Sequence, residues 1–268
     1  MGPRIGVIAG AGNFPLVALA EAKKLGYFCA VAGLRGAAAA ELKREADAFE
    51  WFGPAEIEKL VSFFQSHEIR EAVMFGKIEH RTIFRDDLRD EVFLKLPAPL
   101  PDQSASALLK SLIEYLQTRG VSVLDPSPFL APYYCAVGVL GSAAVSAAVE
   151  AEAGFGWPLA KTLADLDIGQ TLVVKGRAVV AVEGMDGTDE TIRRGALLAG
   201  EGIVVLKAGR TGQDARIDVP MVGLETIRTL AKARAAALVI EAGRVPFFQR
   251  EEALVAAAAA GVAVIVRH

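Results

Sequence analysis

The sequence is poor in the residues that build disulfide frameworks and metal sites. Only two cysteines occur, Cys29 and Cys135, and both lie among apolar residues, which is typical of reduced thiols in a core. The three histidines, His67, His80 and His268, form neither an HxH nor an HExxH array, which argues against a dinuclear metallophosphoesterase. A GxSxG motif is also missing, so the sequence argues against a serine hydrolase of the α/β-hydrolase type.

The chain also has no excess of positive charge and no long apolar run. Its 29 Lys and Arg residues face 32 Asp and Glu residues, and the net charge of −3 argues against nucleic acid as a partner. The longest apolar run, 253–266, is divided by Gly261 and is shorter than the roughly 20 residues that a transmembrane helix needs. We therefore expect a soluble, cytoplasmic protein that does not span a membrane.

What is present in the first half is a regular alternation of strand and helix patterns. Strand-like runs such as RIGVIA at 4–9, YFCAVAG at 27–33 and EAVMFG at 71–76 are separated by stretches with helical periodicity. This alternation is typical of a parallel, doubly wound sheet. We predict an α/β protein with a Rossmann-like N-terminal domain over 1–127, in which ligands bind at the carboxyl ends of the strands.

The second half follows a different pattern. After Asp125 the stretch DPSPFLAPYYCAVGVLG carries three prolines and two glycines, and we predict a linker over 128–155. The segment QTLVVKGRAVVAVEG predicts a hairpin that turns at Lys175-Gly176. Further strand-like runs, IVVLKA, ARIDV, AALVIEA, VPFF and VAVIV, alternate with helical stretches. Residues 156–268 are therefore predicted to form a mixed α/β C-terminal domain with hairpins.

The segment TGQDARIDVP at 211–220 contains two carboxylates and a guanidinium. Ile217 and the Val-Pro pair after Asp218 favour extended chain, in which Asp214, Arg216 and Asp218 line one face. The two carboxylates then lie about 13 Å apart, at about 3.3 Å per residue. An arginine can grip a phosphate with two hydrogen bonds, and a carboxylate can bind Mg²⁺ or accept the proton of an attacking water. An exposed edge strand with alternating charges would show the same pattern, and spacing alone leaves both interpretations open.

Two further segments carry acidic residues next to glycines. VEGMDGTDETIRR places Glu183, Asp186, Asp189 and Glu190 where the hairpin ends and a helix begins, and the free N–H groups of a helix start attract anions. Ordinary helix capping explains the same residues. The acidic residues of the segment DLDIGQ at 165–170 could likewise contribute to a site or simply form a turn before a strand.

The segment GVIAGAGNFP shares part of the phosphate-binding turn of nucleotide-binding folds. Gly10 and Gly12 follow an apolar strand, but Pro15 stands where the third glycine of that turn is usual. The acidic residue that binds a ribose is also missing, since the second strand runs into Leu34 and Arg35. The pattern argues against NAD and leaves open a nucleotide or a sugar phosphate.

A basic segment, GKIEHRTIFRDDLRD, follows the apolar strand run that ends near residue 76. Its Lys77, His80, Arg81 and Arg85 could meet an anion at the carboxyl end of that strand, or form a solvated loop. The residue types alone do not separate these two interpretations.

Six segments occur in one order along the chain: IGVIAGAGNFP, FGKI, LDIGQTLVVKG, AVEGMDGTDETIRR, KAGRTGQDARIDVPMVGLETI and VIEAGR. Together they resemble the UDP-2,3-diacylglucosamine pyrophosphatases of the LpxI type. The resemblance covers nearly the whole chain and is densest over 167–244. Several motifs in series are more specific than any one of them.

The resemblance implies an enzyme of lipid A synthesis in Gram-negative bacteria. Such enzymes cut the pyrophosphate of UDP-2,3-diacylglucosamine to UMP and diacylglucosamine 1-phosphate, with water attacking the phosphorus nearer the sugar. They need a divalent cation, Mg²⁺ or another such as Mn²⁺, and they have a Rossmann-like domain, a distinctive C-terminal domain and the substrate between the two. We expect a peripheral enzyme on the cytoplasmic face of the inner membrane, as a homodimer, with an apolar cavity for the acyl chains.

The resemblance also implies roles for individual residues. The essential carboxylate corresponds to Asp218, which would bind Mg²⁺ or orient the water, while Arg216 and Lys207 would neutralise the pyrophosphate. Asp214 is a further catalytic candidate, and the expected metal ligands are Asp218, Glu183 and Asp189. The expected substrate-binding residues are Gly10, Gly12, Asn13, Lys77, Asp167, Gln170, Thr188, Lys207, Gln213 and Glu241.

Two other classes of protein remain open from the sequence. A different nucleotide-sugar hydrolase or transferase could use the same folds, and plain UDP-glucosamine in place of the acylated sugar would separate the two by turnover. A non-catalytic regulator that binds a nucleotide or a lipid is the second class. Its binding would survive loss of Asp218, and it would release no UMP.

Overall fold

The computed structural model describes residues 2–76 and 105–268. The chain divides into two compact units. The first consists of Met1–Phe129 with Asp214–Ile217, and the second consists of Leu130–Gln213 with Asp218–His268. The short segment Asp214–Ile217 thus groups with the first unit, although the sequence on both sides of it belongs to the second.

The first unit contains a five-stranded sheet in which all neighbouring strands are parallel. Its strands are β1 (Arg4–Ala9), β2 (Phe28–Leu34), β3 (Ala48–Phe52), β4 (Glu71–Phe75) and β5 (Ser122–Val123). Its helices are α1 (Phe14–Lys24), α2 (Leu42–Glu45), α3 (Ile57–Ser66), α4 (Ala105–Thr118) and α5 (Ser127–Leu130), the last of which ends in the second unit. The strand order β3-β2-β1-β4-β5 is Rossmann-like, so the predicted doubly wound sheet is confirmed.

The central strand β1 explains why the first unit is rich in small and branched apolar residues. Ile5, Val7 and Ala9 on one face of this strand are completely buried, and Gly6 on the other face is buried as well, as expected for a parallel strand that is covered on both faces. A Cβ atom at Gly6 would lie 2.8 Å from the ring of Phe64, so the absence of a side chain at position 6 lets α3 pack close to the sheet.

The second unit contains a six-stranded mixed sheet. Its strands are β6 (Gly138–Leu140), β7 (Thr171–Lys175), β8 (Ala178–Val182), β9 (Val204–Lys207), β10 (Ala237–Glu241) and β11 (Ala263–Arg267). Its helices are α6 (Ala147–Asp165), α7 (Thr188–Ala199), α8 (Leu224–Lys232) and α9 (Arg250–Ala259). The order is β6-β11-β10-β9-β7-β8, with β9, β10 and β11 parallel and the other three strands antiparallel to their neighbours. The prediction of a mixed α/β domain is confirmed.

Alternating side chains of this sheet enter two different apolar cores. Residues such as Val173, Val205 and Leu238 belong to the core that also contains residues of α7, α8 and α9. Their neighbours Leu172 and Leu206 belong to the core that contains the buried residues of α6. The sheet is therefore covered on both faces, which explains why its strands are almost continuously apolar.

Three local predictions differ from the structure of the second unit. Residues 128–155, predicted as a linker, include β6, which pairs with β11, and the beginning of α6, which packs on the sheet. The hairpin of β7 and β8 turns at Gly176 and Arg177, both with positive φ, one residue later than predicted. The predicted strand VPFF is wrong, because Phe247 forms only an isolated bridge with Val222. No helix among residues 2–76 and 105–268 is long and apolar enough to cross a membrane.

Candidate functional site

The last residue of β9, Lys207, is a lysine buried within the sheet. Only 5% of the residue is exposed, because β9 lies between β7 and β10. Its Nζ atom donates hydrogen bonds to Thr188 Oγ1 at 2.5 Å and to Thr171 Oγ1 at 3.5 Å. In the described part of the chain no carboxylate forms an ion pair with it. A buried ammonium group without a carboxylate partner is costly, which makes Lys207 a candidate to bind an anionic ligand.

Thr188, the first residue of α7, connects Lys207 to a carboxylate. Its hydroxyl donates to Glu183 Oε1 at 3.0 Å, and because a hydroxyl has a single proton it accepts the hydrogen bond from Lys207. Glu183 Oε2 accepts the backbone N–H of Gln170 at 3.3 Å. A Cβ atom at Gly169 would lie only 2.1 Å from the carbonyl oxygen of Glu183. Glycine is therefore required before Gln170 for these two segments to approach each other.

Asp218 is held by two side-chain amides. Gln170 Nε2 donates to Asp218 Oδ2 at 2.5 Å, and Gln213 Nε2 donates to the same oxygen at 3.0 Å. Among the described residues, the second carboxylate oxygen, Oδ1, has no hydrogen-bond partner and no lysine or arginine forms an ion pair with Asp218. This carboxylate is therefore exposed and oriented, and neither of its two hydrogen-bond donors carries a charge.

These hydrogen bonds join seven residues of the second unit, which we call the polar network: Gln170, Thr171, Glu183, Thr188, Lys207, Gln213 and Asp218. The structure thus brings together six residues that the sequence singled out. The seventh, Thr171, was missed because it reads as the first residue of an apolar strand. Its register opposite Lys207 in the β7–β9 pair is what reveals it.

The predicted strand ARIDV is wrong, and its charged residues do not line one face. Ile217 N–H donates to the carbonyl of Asp214 at 3.0 Å, which closes a turn instead of extending the chain. The Asp214 carboxylate also accepts a hydrogen bond from the backbone N–H of Arg216. It accepts two more from the Arg216 guanidinium, at 2.7 and 2.8 Å. An aspartate that bonds the backbone two residues on favours a turn, and this outweighed the β-branched residues.

The pairing of Asp214 with Arg216 changes the acidity of both groups. Hydrogen bonds from Arg216 hold the pKa of the Asp214 carboxyl below its ordinary value, and the Asp214 carboxylate raises the pKa of the Arg216 guanidinium. Both residues group with the first unit, whereas Asp218 groups with the second. The catalytic roles expected for Asp214 and Arg216 stay predictions, and each residue is already the other's ion-pair partner.

A second charged group in the second unit consists of Lys161, Gly209, Glu241 and Arg244, which we call the support cluster. The buried Glu241 accepts from Lys161 at 2.7 Å and from the backbone N–H of Gly209 at 2.8 Å, and it forms an ion pair with Arg244 Nε at 3.3 Å. Lys161 also donates to the carbonyl of Gly209 at 3.0 Å. The substrate contact expected for Glu241 stays a prediction, and in this structure its carboxylate fixes the backbone just after β9.

The loop after Gly209 is fixed at two further points. Asp167, an expected substrate-binding residue, forms an ion pair with Arg210 at 2.5 Å. The backbone N–H of Thr211 donates to Asp165 Oδ1 at 2.6 Å, and this hydrogen bond is the main reason why the pKa of Asp165 lies below its ordinary value. The loop that leads to Gln213 is thus anchored to the end of α6.

The acidic residues around the start of α7 separate into different roles. Burial raises the pKa of Asp186, but hydrogen bonds from Arg194 at 2.8 Å and from Gly184 N–H at 2.9 Å outweigh burial, so its pKa is lowered. Asp189 has a buried oxygen, Oδ1, without a hydrogen-bond partner among the described residues. The Asp186 carboxylate is therefore held by Arg194 and by the backbone of Gly184, whereas Asp189 Oδ1 can still accept a hydrogen bond or bind a cation.

The proposed metal ligands can be tested against the geometry. Within residues 2–76 and 105–268, no three His, Cys, Asp or Glu side chains gather so that they could hold a metal ion. Asp218 and Glu183 are both bonded to Gln170, and Asp189 contacts neither of them by a hydrogen bond. Mg²⁺ is commonly bound by one or two carboxylates together with water and substrate phosphates. The residues fit a cation bound through Asp218 and completed by a phosphate ligand, and they do not fit a cage of three carboxylates.

The first unit contains a separate candidate site where its strand order reverses, between β1 and β4. Gly10 N–H donates to the carbonyl of Phe75 at 2.7 Å, Gly12 has a φ of 92°, and Asn13 precedes α1. A Cβ atom at Gly76 would lie 2.8 Å from backbone atoms of this loop. The carboxyl ends of strands at such a reversal are the usual ligand site of open α/β sheets. The glycines thus lie where the sequence analysis expects a ligand. Lys77, and with it His80, Arg81 and Arg85, lies outside the described residues.

Comparison with known proteins gives a consistent result over the whole chain. Residues 4–133 match the family described as LpxI N-terminal domain, and residues 136–265 match the LpxI C-terminal domain. The chain is 30% identical over 274 residues to a Caulobacter vibrioides protein named UDP-2,3-diacylglucosamine pyrophosphatase LpxI, with 98% of this chain and 96% of the relative covered.

Two solved structures show weaker likeness. One is a glycinamide-RNase-transformylase T from Mycobacterium tuberculosis, at 12% identity and a TM-score of 0.27, covering 67% of this chain. The other is a phosphoribosylglycinamide synthetase from Anaerococcus prevotii, at 13% identity and a TM-score of 0.24, covering 71% of this chain. This chain spans only 44% and 42% of those two chains. Neither likeness carries an argument about fold or function.

Proposed function

This chain belongs to the LpxI family, and we propose that it hydrolyses the pyrophosphate of UDP-2,3-diacylglucosamine to UMP and 2,3-diacylglucosamine 1-phosphate, as a step of lipid A synthesis. The observation that carries the proposal is Lys207, a buried ammonium group whose partners are two hydroxyls. An anionic phosphate supplies the charge that the fold itself does not place there. The name of the relative supplies the substrate class.

Lys207 binds the pyrophosphate, and the two threonines orient its ammonium group. Thr188 donates its proton to Glu183 and Thr171 donates its proton to Thr188, so the third proton of the Lys207 ammonium group is the one that a phosphate oxygen accepts. Burial reduces the local dielectric, which strengthens the attraction between Lys207 and the charge that develops as the bond to the leaving phosphate breaks. Lys207 would thus stabilise the transition state more than it stabilises the bound substrate.

Asp218 acts on the attacking water. Water forms a bond to the phosphorus nearer the sugar, the bond from that phosphorus to the bridging oxygen breaks, and UMP leaves with the bridging oxygen. The carboxylate of Asp218 fixes the water and accepts its proton through the oxygen that the two amides do not use. Water labelled with ¹⁸O then places its label in diacylglucosamine 1-phosphate, and label in UMP would contradict this direction of attack.

The proposed cofactor is a divalent cation, Mg²⁺ or Mn²⁺. Asp218 is the residue that would hold it, and Glu183, bonded to the same glutamine, is the second candidate ligand. When bound, such a cation neutralises phosphate oxygens and lowers the pKa of a coordinated water. Removing divalent ions with a chelator is expected to abolish UMP release, and adding back Mg²⁺ or Mn²⁺ to restore it. Full activity in excess chelator would contradict the cofactor.

The proposal also includes peripheral contact with the cytoplasmic face of the inner membrane and a homodimeric state. A substrate with two acyl chains partitions into a lipid surface, so an enzyme that turns it over meets that surface. Flotation of the protein with anionic vesicles tests the contact, and sedimentation equilibrium tests the dimer. Protein that stays with the aqueous fraction, or that sediments as a monomer, would contradict the respective part.

The experiment that tests the function is UMP release by the purified protein. We expect release from UDP-2,3-diacylglucosamine with Mg²⁺ or Mn²⁺, little release from plain UDP-glucosamine, and a loss of at least about 100-fold for the Asp218→Ala variant. Circular dichroism of the variant controls for folding. If folded wild-type protein releases no UMP with either metal, the proposed function is wrong.

A further inference from the structure

We propose that Gln170 and Gln213 are positioning residues that act through Asp218, and that Oδ1 is the working oxygen of this carboxylate. The inference rests on the proposed function, because it assigns the parts of the same site. Both amides donate to a single oxygen, Asp218 Oδ2, at 2.5 and 3.0 Å. The family resemblance implies that these glutamines bind the substrate, and the geometry assigns them a different task.

The amide of Gln213 has only one orientation that satisfies its neighbours. Its Oε1 accepts the backbone N–H of Arg210 at 3.1 Å, and its Nε2 donates to both the carbonyl oxygen and Oδ2 of Asp218 at 3.0 Å. A reversed amide would place two donors together at Arg210 and an acceptor against acceptors at Asp218. The side chain of Gln213 is therefore locked between the loop after β9 and Asp218.

Gln170 reaches Asp218 from a fixed point of the sheet. Its carbonyl accepts the backbone N–H of Ala208 at 3.0 Å, and its own N–H donates to Glu183. The backbone of Gln170 is thus held on two sides at the start of β7. Its side-chain NH₂ faces a carboxylate, which can only accept, so the amide orientation is again determined.

Two neutral amides orient the Asp218 carboxylate without neutralising it, whereas a lysine or an arginine would do both. They fix the direction of the carboxylate but leave its net charge uncompensated, because an amide carries no charge. Rotation of the Asp218 carboxylate would break both hydrogen bonds, so Oδ2 stays with the amides and Oδ1 stays available. The donors of both amides that face this carboxylate are already used, which is why we assign them to Asp218 and not to the substrate.

The first test separates positioning from substrate binding by its kinetic signature. Gln170→Ala and Gln213→Ala are each expected to lower kcat for UMP release by roughly 10- to 100-fold, because a misplaced reacting group reduces the rate this much. KM is expected to change by no more than about twofold, since uniform binding is not affected. Gln117→Ala, at an exposed glutamine of α4, is the matched control and is expected to keep the wild-type kcat.

The second test is the isosteric variant Asp218→Asn. An asparagine has one oxygen, and the two amides need an acceptor, so the oxygen takes the place of Oδ2 and the NH₂ group takes the place of Oδ1. We expect a thermal midpoint close to that of the wild type, whereas Asp218→Ala, which leaves both amides without their acceptor, has a lower one. Both variants are expected to lose UMP release by at least about 100-fold.

The outcomes separate this inference from the proposed function. If the wild type releases no UMP, the proposed function is wrong and this inference is wrong with it. If the wild type is active but both glutamine variants keep kcat and raise KM, the glutamines bind substrate and the positioning role is overturned. If the variants lower kcat further in the Asp218→Ala background, they act independently of Asp218, which also overturns it. Equal residual activity of Asp218→Ala with and without Gln170→Ala or Gln213→Ala supports it.

Discussion

The polar network and the support cluster lie in the same unit and contain the same kinds of side chain, but their charges are balanced differently. In the support cluster the buried Glu241 faces two cations, Lys161 and Arg244. In the polar network Lys207 has only hydroxyl partners and Asp218 has only amide partners, as far as the described residues extend. The carboxylate of Glu241 is paired with cations inside the fold, whereas Lys207 and Asp218 have no ion-pair partner among the described residues.

This difference indicates which part of the second unit stabilises the fold and which part is less stable because it binds a ligand. Ion pairs and backbone contacts around Glu241 hold the loop after β9 and need no ligand. A buried cation without a counter-ion, such as Lys207, destabilises the ligand-free protein, and such arrangements are found at sites where a ligand completes the balance. Substitutions in the polar network should therefore reduce activity more than stability. Substitutions in the support cluster should reduce stability more than activity.

The largest effect is expected for Lys207→Met, which keeps an unbranched side chain and removes the charge. UMP release should fall by about 100-fold or more, because the pyrophosphate loses its buried cation. The free energy of unfolding should fall by no more than about 1 kcal/mol, the amount that a hydrogen bond to Thr188 contributes, since an unpaired buried charge is removed as well. Chemical denaturation and steady-state kinetics measure the two quantities.

The difference between the polar network and the support cluster would be contradicted if Lys207→Met lowered the free energy of unfolding more than Glu241→Gln does. Such a result would mean that Lys207 is a structural residue and that its lack of a carboxylate has no functional meaning. Lys175→Met is the matched control, because Lys175 lies on neighbouring β7 and donates to two backbone carbonyls near the end of α7. It is expected to leave UMP release within about twofold of the wild type.

The next largest effect is expected for Glu241→Gln, which should reduce stability more than it reduces activity. Glutamine keeps an acceptor for Gly209 N–H but leaves Lys161 without a carboxylate. The free energy of unfolding should fall by about 1–3 kcal/mol, and UMP release by less than about tenfold. Glu150→Gln is the control, because Glu150 pairs with Arg267 at the exposed surface, where an ion pair contributes less than about 1 kcal/mol. Equal destabilisation by both would contradict the role of the support cluster.

The smallest effect is expected for Asp214→Asn, which extends the comparison to a neutralised pair in the first unit. Arg216 lowers the pKa of Asp214 in the folded protein, so the pair stabilises fully above the unfolded pKa of about 3.9 and loses its effect as pH falls through the folded pKa. The thermal midpoint of the variant should be about 2–4 °C lower at pH 7, and the difference should shrink below about pH 4. Glu41→Gln, at an exposed glutamate of the same unit, should show no such convergence.

Much of the fold was predictable from the sequence, because its signals are local. The alternation of RIGVIA, YFCAVAG and EAVMFG with helical stretches gave the parallel sheet of the first unit, and the glycine at 176 gave the β7–β8 hairpin. The motif resemblance gave the family and six residues of the polar network. These features depend on periodicity, turn chemistry or residue identity, which a sequence carries directly.

The errors come from contacts that a sequence does not display. The turn at Asp214 depends on two hydrogen bonds from the Arg216 guanidinium to the Asp214 carboxylate. They outweigh the extended preference of the β-branched residues nearby. Residues 138–140 read as part of a linker because a three-residue strand has no period, and only pairing with β11 makes it a strand. Thr171 joins the site because β7 and β9 align it with Lys207, 36 residues away. Pairing between distant strands decides the second and third cases, whereas the first depends on a local ion pair.

Gly169 makes position 169 an unusually informative place for protein engineering. Because any side chain there would have to enter the space of the Glu183 carbonyl, a library that randomises this codon and selects for UMP release should return glycine almost alone. Position 176, in the exposed β7–β8 turn, gives the opposite expectation, since a Cβ atom there meets nothing within 4 Å and Asn or Asp tolerates its backbone angle. The two glycines lie seven residues apart, and sequencing the survivors of one experiment would distinguish a glycine kept for contact from a glycine kept for conformation.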